Sequence, residues 1–413
     1  MKRESLISPQ LFDLSQDIVT YLPPELIEKW LKSDRSEETA RQLLETTKVR
    51  GTLVCTDTAG LSKLTQKLDV IEVMAYLNQP KELIYSYGKA IGGKGIGLWA
   101  ADNTTMFYDE SVDPHKIISM LQKVRDEIAK KCKVQVGFGV HFGEFRMIGH
   151  SIYGNEADYI EEIAENETQG GEIIITSAFR QKLDTNFVKD AERVDLKSSK
   201  GQVFSIESVK KLPLKPSDRD YPIPFSKEFH RDIRILSRKG YEKTVLEELR
   251  KKYIQNKVVV LIERSRNVPD NRERELLNDF ALYAAMSKIA VKLLYDFEGK
   301  RIKTIGNLGI YIFSDAQEAL DFSHAFKALL RKEYALKSRI GIASGEVLVF
   351  TLADETKEIA GCPVNVASKL AQDKGEFGRI YISEEIFTGI NPSGFELKEV
   401  EASGVTIKSY VSV

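Results

Sequence analysis

The stretch IAGCPVNVASKLA at 359–371 has a weaker copy, IYGNEADYIEEIA, at 152–164. A little further on, GRIYIS at 378–383 answers GEIIIT at 171–176 with the same offset of 207 and no gap. Outward from this pair, SRIGIASGEV at 338–347 matches VGFGVHFGEF at 136–145, sharing Gly139/Gly341, Gly143/Gly345 and Glu144/Glu346. KVVVLIE at 257–263 meets GTLVCTD at 51–57. KTIGNLGIYIF at 303–313 meets KAIGGKGIGLW at 89–99, with Lys89 against Lys303 at an offset of 214. Order and spacing persist over about 150 residues, so the chain is a tandem of two related domains.

Each half has the same coarse pattern. A short β-branched run (52–56, 258–262) leads into helical spacing (about 60–88, 272–298). A glycine-centred pair of short strands follows (89–100, 302–313), then a helix (113–131, 315–333). Next come two strands broken at Gly-Glu (135–149, 338–351), a helix (155–167, 364–373) and a buried strand (172–176, 379–382). Strands alternating with helices in such a unit predict an α+β fold of two ferredoxin-like domains. GGKGIG at 92–97 fits G-x-G-x-x-G but does not open a helix, as a dinucleotide-binding loop must, so it is expected to be a hairpin turn.

The boundaries follow from composition. VKKLPLKPSDRDYPIPF at 209–225 carries four prolines and cannot hold a regular helix or central strand. The expected organisation is a helical lead-in at 1–45, a first domain at 46–208, a linker and helix at 209–249, and a second domain at 250–413. Lys plus Arg number 60 against 61 Asp plus Glu, which gives no general attraction to nucleic acid or an anionic membrane. Three scattered cysteines argue against a disulfide framework and for a reducing compartment. The start shows no apolar signal region and no run approaches 18 apolar residues, so a cytoplasmic protein with no membrane span is expected.

The constellation resembles the class III nucleotidyl cyclases, above all their tandem, soluble, bicarbonate-responsive branch. VCTDTAGLSKLTQKL (54–68) looks like the family's strand, metal-binding Asp and phosphate-facing turn. KTIGNLGIYIF looks like its adenine-side hairpin, and IAGCPVNVASKLA like its G-x-x-V-N-x-A-x-R segment. YLPPELIEKWL (21–31) resembles its usual lead-in. The resemblance implies an internal pseudo-dimer, monomeric as a chain. Its active site would take two metal-binding aspartates from one domain and the base- and ribose-binding groups from the other.

Carried over residue by residue, the first site has Asp57 as metal ligand and Thr58 and Gly60 facing substrate. Its second metal position falls on Gly93, which has no ligand to offer. Lys303 and Glu358 match the base-binding positions, Asn365 the catalytic Asn, and Lys369 replaces the catalytic Arg without its planar fork. In the second site the corresponding positions are Glu263, Asn307, Lys89, Asp158 and Glu162, and carboxylates there would repel a triphosphate. The basic group that bicarbonate-responsive relatives need near Glu161 and Glu162 is missing.

Plainer roles compete with these. Asp57 suits a strand end, Lys303 an exposed strand, Asn365 a helix cap, and His141 a packed strand; the acidic run 156–167 suits a solvated helix face. Lys94 could set its ammonium where a metal was. The missing Asp at Gly93 weighs most, because losing one carboxylate from a two-metal site costs on the order of 10³-fold in rate; a neighbouring carboxylate such as Asp102 could stand in, but the sequence does not place it. The expectation is a pseudo-cyclase retained for binding a purine nucleoside triphosphate, ATP favoured, or a regulatory protein. An active cyclase using Mg or Mn at the weakened site and a pure interaction scaffold are the alternatives.

Overall fold

The computed structural model describes residues 24–61, 64, 67–100, 102–193, 201–217, 221–237, 241–265, 272–373, 375–387, 389–391, 393–402 and 405–412. Part of the expected lead-in (1–23) and Ser62 and Lys63 of the phosphate-facing turn lie outside them. Two units are distinct: residues 46–246, and residues 247–413 together with 24–45.

Helices α1 (Pro24–Lys32) and α2 (Glu37–Glu45) open the described chain. The first unit then runs β1 (Lys48–Ala59), α3 (Val70–Ala90), β2 (Lys94–Ile96), β3 (Thr104–Asp109), α4 (Pro114–Lys131) and β4 (Gln135–Ile148). It continues with β5 (Ser151–Tyr153), α5 (Asn155–Glu162) passing into a π turn (Ile163–Glu167), β6 (Ile173–Thr176), β7 (Val188–Arg193), β8 (Val203–Val209) and α6 (Lys227–Leu236). The second unit holds α7 (Lys243–Tyr253, reaching back across the boundary), β9 (Ile254–Arg264), α8 (Arg272–Leu294), β10 (Lys300–Ile305), β11 (Leu308–Phe313) and α9 (Ala316–Tyr334). There follow β12 (Ser338–Thr351), β13 (Lys357–Ala360), α10 (Cys362–Ser368) with its own π turn (Lys369–Asp373), β14 (Ile380–Ser383), β15 (Phe395–Ala402) and β16 (Val405–Ser412).

The two sheets share one topology. The orders are β2-β3-β1-β4-β6-β8-β7 and β10-β11-β9-β12-β14-β16-β15, with β5 on β4 and β13 on β12. Only the β4/β6 and β12/β14 pairs are parallel. Both faces of the central strands are covered, which explains their nearly continuous apolar runs. In the first unit Val54, Met106, Tyr108, Phe138 and Val140 pack under α3 and α4, while Leu53, Cys55, Phe107 and Phe145 pack under α5. The second unit repeats this with Val258, Val260 and Ile262 on one face and Val259 and Leu261 on the other.

Two expectations change. The Gly-Glu pairs do not break a strand: β4 and β12 each run through for 14 residues. Residues 209–217 of the Pro-rich stretch form a strap on the first unit. Val209 N–H donates to Gln122 Oε1 at 2.8 Å, Leu212 N–H to Ser119 Oγ at 3.1 Å, and Ser217 N–H to the Ser86 carbonyl at 2.9 Å. The lead-in helices pack in the second unit, where buried Trp30 donates through Nε1 to Asn278 Oδ1 at 3.0 Å. No described helix is long and apolar enough to cross a membrane.

Candidate functional site

Strand pairing gives a ruler for the two copies. On the central strands, Gly51 faces Gly143 and Lys257 faces Gly345, so Asp57 and Glu263 occupy equivalent places. The neighbouring strands follow: Thr104 pairs with Thr56, and Gly309 with Ile262. Thr104 is therefore the counterpart of Gly309, and two residues earlier Asp102 is the counterpart of Asn307. That offset is 205 (309 less 104), nine short of the 214 drawn from KAIGGKG and KTIGNLG.

By this register Asp102, not Gly93, is the first unit's counterpart of Asn307. The resemblance between the glycine runs misled because the glycines do different work. Gly306 and Asn307 make the tight turn between β10 and β11, where Ile305 pairs with Leu308. Gly92 and Gly93 instead end α3: their N–H groups donate to the carbonyls of Lys89 and Gly88 at 3.0 and 2.9 Å. A Cβ on Gly93 would lie 2.5 Å from Tyr108 Cε1, 2.7 Å from Met106 Cε and 2.9 Å from the Gly88 carbonyl, so close packing excludes any side chain there. The hairpin of the first unit is β2–β3, joined by residues 97–103.

Two further assignments fall with that register. Lys89 is at the end of α3, and the residue paired like Lys303 is Ile96, so Lys89 is not the counterpart of Lys303. Lys94 lies across from Phe107, beside Asp109 at the opposite end of β3 from Asp102, so its ammonium does not replace a metal.

Asp57 and Asp102 form the acidic centre of the first unit. Asp57 sits near the end of β1, and Asp102 ends the connection into β3. Thr58 ties them: its buried hydroxyl donates to the Asp102 carbonyl at 3.2 Å. That bond commits the Thr58 hydroxyl proton to holding the loop. Gly60 takes φ +74 with open space around it, and Leu64 N–H donates back to its carbonyl at 3.1 Å. A left-handed residue is needed where the strand turns into this helical turn. Burial, with the Asp102 and Glu165 carboxylates nearby, pushes Asp57 up to about 7. A carboxylate pair short of positive charge suits a hard divalent cation such as Mg²⁺ or Mn²⁺, which prefers oxygen ligands. Among the described residues no group of three or more His, Cys, Asp or Glu side chains is placed to cage a metal.

The second unit has closed its equivalent site with a side chain. Arg339 Nε donates to Glu263 Oε2 at 2.8 Å, with Nη2 2.7 Å from the same oxygen, and Asn307 Nδ2 donates to Glu263 Oε1 at 2.9 Å. Arg339 also donates to the Gly375 carbonyl at 3.0 Å and lies over Phe377. A guanidinium thus occupies the field a metal would need. The signal was present in the sequence: Arg339 in SRIGIASGEV stands where the first copy has Gly137.

The base- and ribose-side candidates also lie in the second unit. Lys303 on β10 is half-buried and its Nζ is 2.6 Å from Glu358 Oε2 on β13, so the plain exposed-lysine role is excluded. Glu358 also accepts from Ile359 N–H at 3.0 Å. Asn365 is exposed within α10, whose N-cap is Gly361, so Asn365 is not a cap. Lys369 begins the π turn. His141 is packed as expected: buried, 2.8 Å from Thr176 Oγ1 through Nδ1, with edge contacts to Phe145 and Tyr159.

The chain is similar to a class III adenylyl cyclase-like ATP-binding protein from Pseudomonas aeruginosa, with a TM-score of 0.53 and 12% identity over 83% of this chain and 85% of that one. The fold is that of the class III cyclases. Shorter likenesses are to the adenylyl cyclase CyaB from P. aeruginosa (TM-score 0.35, 15% identity, 40% of this chain and 96% of that one) and to an adenylate/guanylate cyclase/hydrolase from Silicibacter pomeroyi (0.32, 21%, 39% and 97%). No protein-family model and no curated relative matches.

Proposed function

We propose that the chain binds a purine nucleoside triphosphate, ATP in preference, with a divalent cation at Asp57 and Asp102, and converts it slowly to the cyclic nucleotide and pyrophosphate. The observation that carries this reading is Asp102, which restores the second carboxylate of the pair. In the reaction the ribose 3′-oxygen bonds to the α-phosphorus as the bond to pyrophosphate breaks. A bound cation lowers the pKa of the attacking hydroxyl and offsets charge on the phosphates.

The protein's own groups then divide the remaining work. The Lys303 ammonium donates to an acceptor on the base edge, and the Glu358 carboxylate accepts from an exocyclic amine, which suits adenine. Asn365 orients the ribose. Lys369 faces the charge that builds on the phosphoryl oxygens, but as a point charge without the bidentate fork of arginine, which is why turnover is slow.

A second reading, nucleotide binding without turnover, draws support from Lys369 and from the likeness to an ATP-binding cyclase-like protein. Mass spectrometry of products from ATP with Mn²⁺ separates the two. Cyclic AMP from the wild type, lost in a folded Asp102→Ala and increased about ten-fold in kcat by Lys369→Arg, is the expected result. No product, with an Asp57-dependent thermal shift by ATP and Mn²⁺, would establish the second reading instead.

A further inference from the structure

The connection that brings Asp102 to β3 is built unlike its counterpart in the second unit. There Gly306 and Asn307 close a turn between paired residues, so the ladder itself fixes their backbone. The first unit spans the same gap with residues 97–103, between β2 and β3. A loop holds a side chain in place only where other contacts offset the entropy of ordering it.

The backbone of this connection is tied at both ends and in the middle. Gly97 N–H donates to the His150 carbonyl at 2.7 Å, Lys81 Nζ to the Trp99 carbonyl at 2.6 Å, and the Thr58 hydroxyl to the Asp102 carbonyl at 3.2 Å. Trp99 is buried, and its indole donates to the Ile96 carbonyl at 2.9 Å. Two tyrosines close on its ring. Tyr85 of α3 meets it edge-on with centroids 5.6 Å apart, Tyr221 lies 6.0 Å away at 44°, and the tyrosines stand edge-on to each other at 6.0 Å. Mutual contacts of this kind fix the orientation of a ring as well as burying it.

Tyr221 does not belong to the repeat. It stands beyond β8 and before α6, and it is pinned to α3. Its hydroxyl donates to Asn78 Oδ1 at 3.3 Å, and upstream Ser217 donates through N–H and Oγ to the Ser86 carbonyl at 2.9 and 3.0 Å.

We propose that Tyr221 is a positioning residue for the acidic site of the first unit: by closing the aromatic clamp on Trp99 it orders the connection that presents the Asp102 carboxylate. The inference rests on the proposed reading of Asp57 and Asp102 as a cation site. A carboxylate ordered before the ion arrives costs less to coordinate, so the clamp is expressed as affinity.

Full-length protein carrying 5-fluorotryptophan tests the first link, because the chain has two tryptophans and Trp30 belongs to the other unit. The ¹⁹F line of Trp99, assigned with Trp99→Phe, should move in Tyr221→Ala while that of Trp30 stays. Calorimetric Mn²⁺ affinity tests the second. It should fall on the order of ten-fold in Tyr221→Ala and be retained in Tyr221→Phe, which keeps the ring. Ser119→Ala loosens the strap at Leu212 without touching the clamp and should leave the affinity unchanged. An unmoved Trp99 line, or a moved line with wild-type affinity, would overturn the inference. So would an equal loss in Ser119→Ala, which would mark a general softening of the unit. Wild-type Mn²⁺ binding that is absent, or that survives in Asp57→Asn, would sink the cation-site reading and this inference with it. If Tyr221→Ala does not fold, Tyr221→Leu, which fills the space without an aromatic edge, is judged by the same two readings.

Discussion

Placing an aspartate at Gly93 would restore the Gly-Asp pair that the sequence suggests was lost, and the structure predicts that it damages the protein. The new Cβ would meet Tyr108 at 2.5 Å and Met106 at 2.7 Å, both buried beneath α3 and α4. Overpacking of this kind costs about 1–3 kcal/mol, and an unpaired carboxylate in the same apolar place adds roughly 2 kcal/mol or more. A total of roughly 3–5 kcal/mol would lower the melting temperature of a unit of this size by about 10 °C. Thermal unfolding followed by circular dichroism, with and without Mn²⁺, measures this. A Gly93→Asp protein that melts with the wild type and binds Mn²⁺ more tightly would refute the assignment of Asp102 and reinstate Gly93.

Two further predictions follow from the charge arrangement. Asp57 has its pKa raised in the fold from near 4 to about 7, so the folded state holds the extra proton between those values and loses stability as pH rises through that window. Without metal, Asp57→Asn should match the wild type near pH 4 and exceed it by about 1–2 kcal/mol at pH 8 after allowance for solvent screening. Urea unfolding at both pH values gives the comparison, and a gap that narrows toward pH 8 would contradict it. In the second unit, Arg339→Ala strands the buried Glu263 carboxylate and should cost about 3 kcal/mol, with Glu263→Gln in the same chain recovering part of the loss. Simple additivity of the two substitutions would argue against the plug.

Much of the fold was legible because the repeat preserves positions under steric compulsion. Gly341 is an example: a Cβ there would lie 2.0 Å from the Ala367 carbonyl, so the helix on that face admits no side chain, and Gly139 faces α5 with a looser fit, 3.0 Å from Ile160 Cδ1. Such constraints survive divergence and kept the 136–176 and 338–383 segments alignable. The hairpin did not keep its register. A tight Gly306-Asn307 turn in one copy is a longer 97–103 connection in the other, and the two glycines that end α3 happen to mimic the turn. The site inherited that slip, which set Gly93 rather than Asp102 opposite Asn307. Other features had no local signal. Trp30 finds its partner Asn278 far along the chain, and nothing in the spacing of a proline-rich stretch says that Gln122 and Ser119 hold it down.

The Arg339 plug also changes what duplication means for this molecule. Were both copies to carry bare acids at this place, each half would have the same unbalanced charge. Here the second copy has a covalently attached counterion that no chelator can remove and no dilution can release. On the proposed reading of Asp57 and Asp102 as a cation site, a chelator challenge should therefore be felt by the first unit alone. The duplicate serves as the constant half of the pair, leaving the first unit as the half whose charge balance responds to its surroundings.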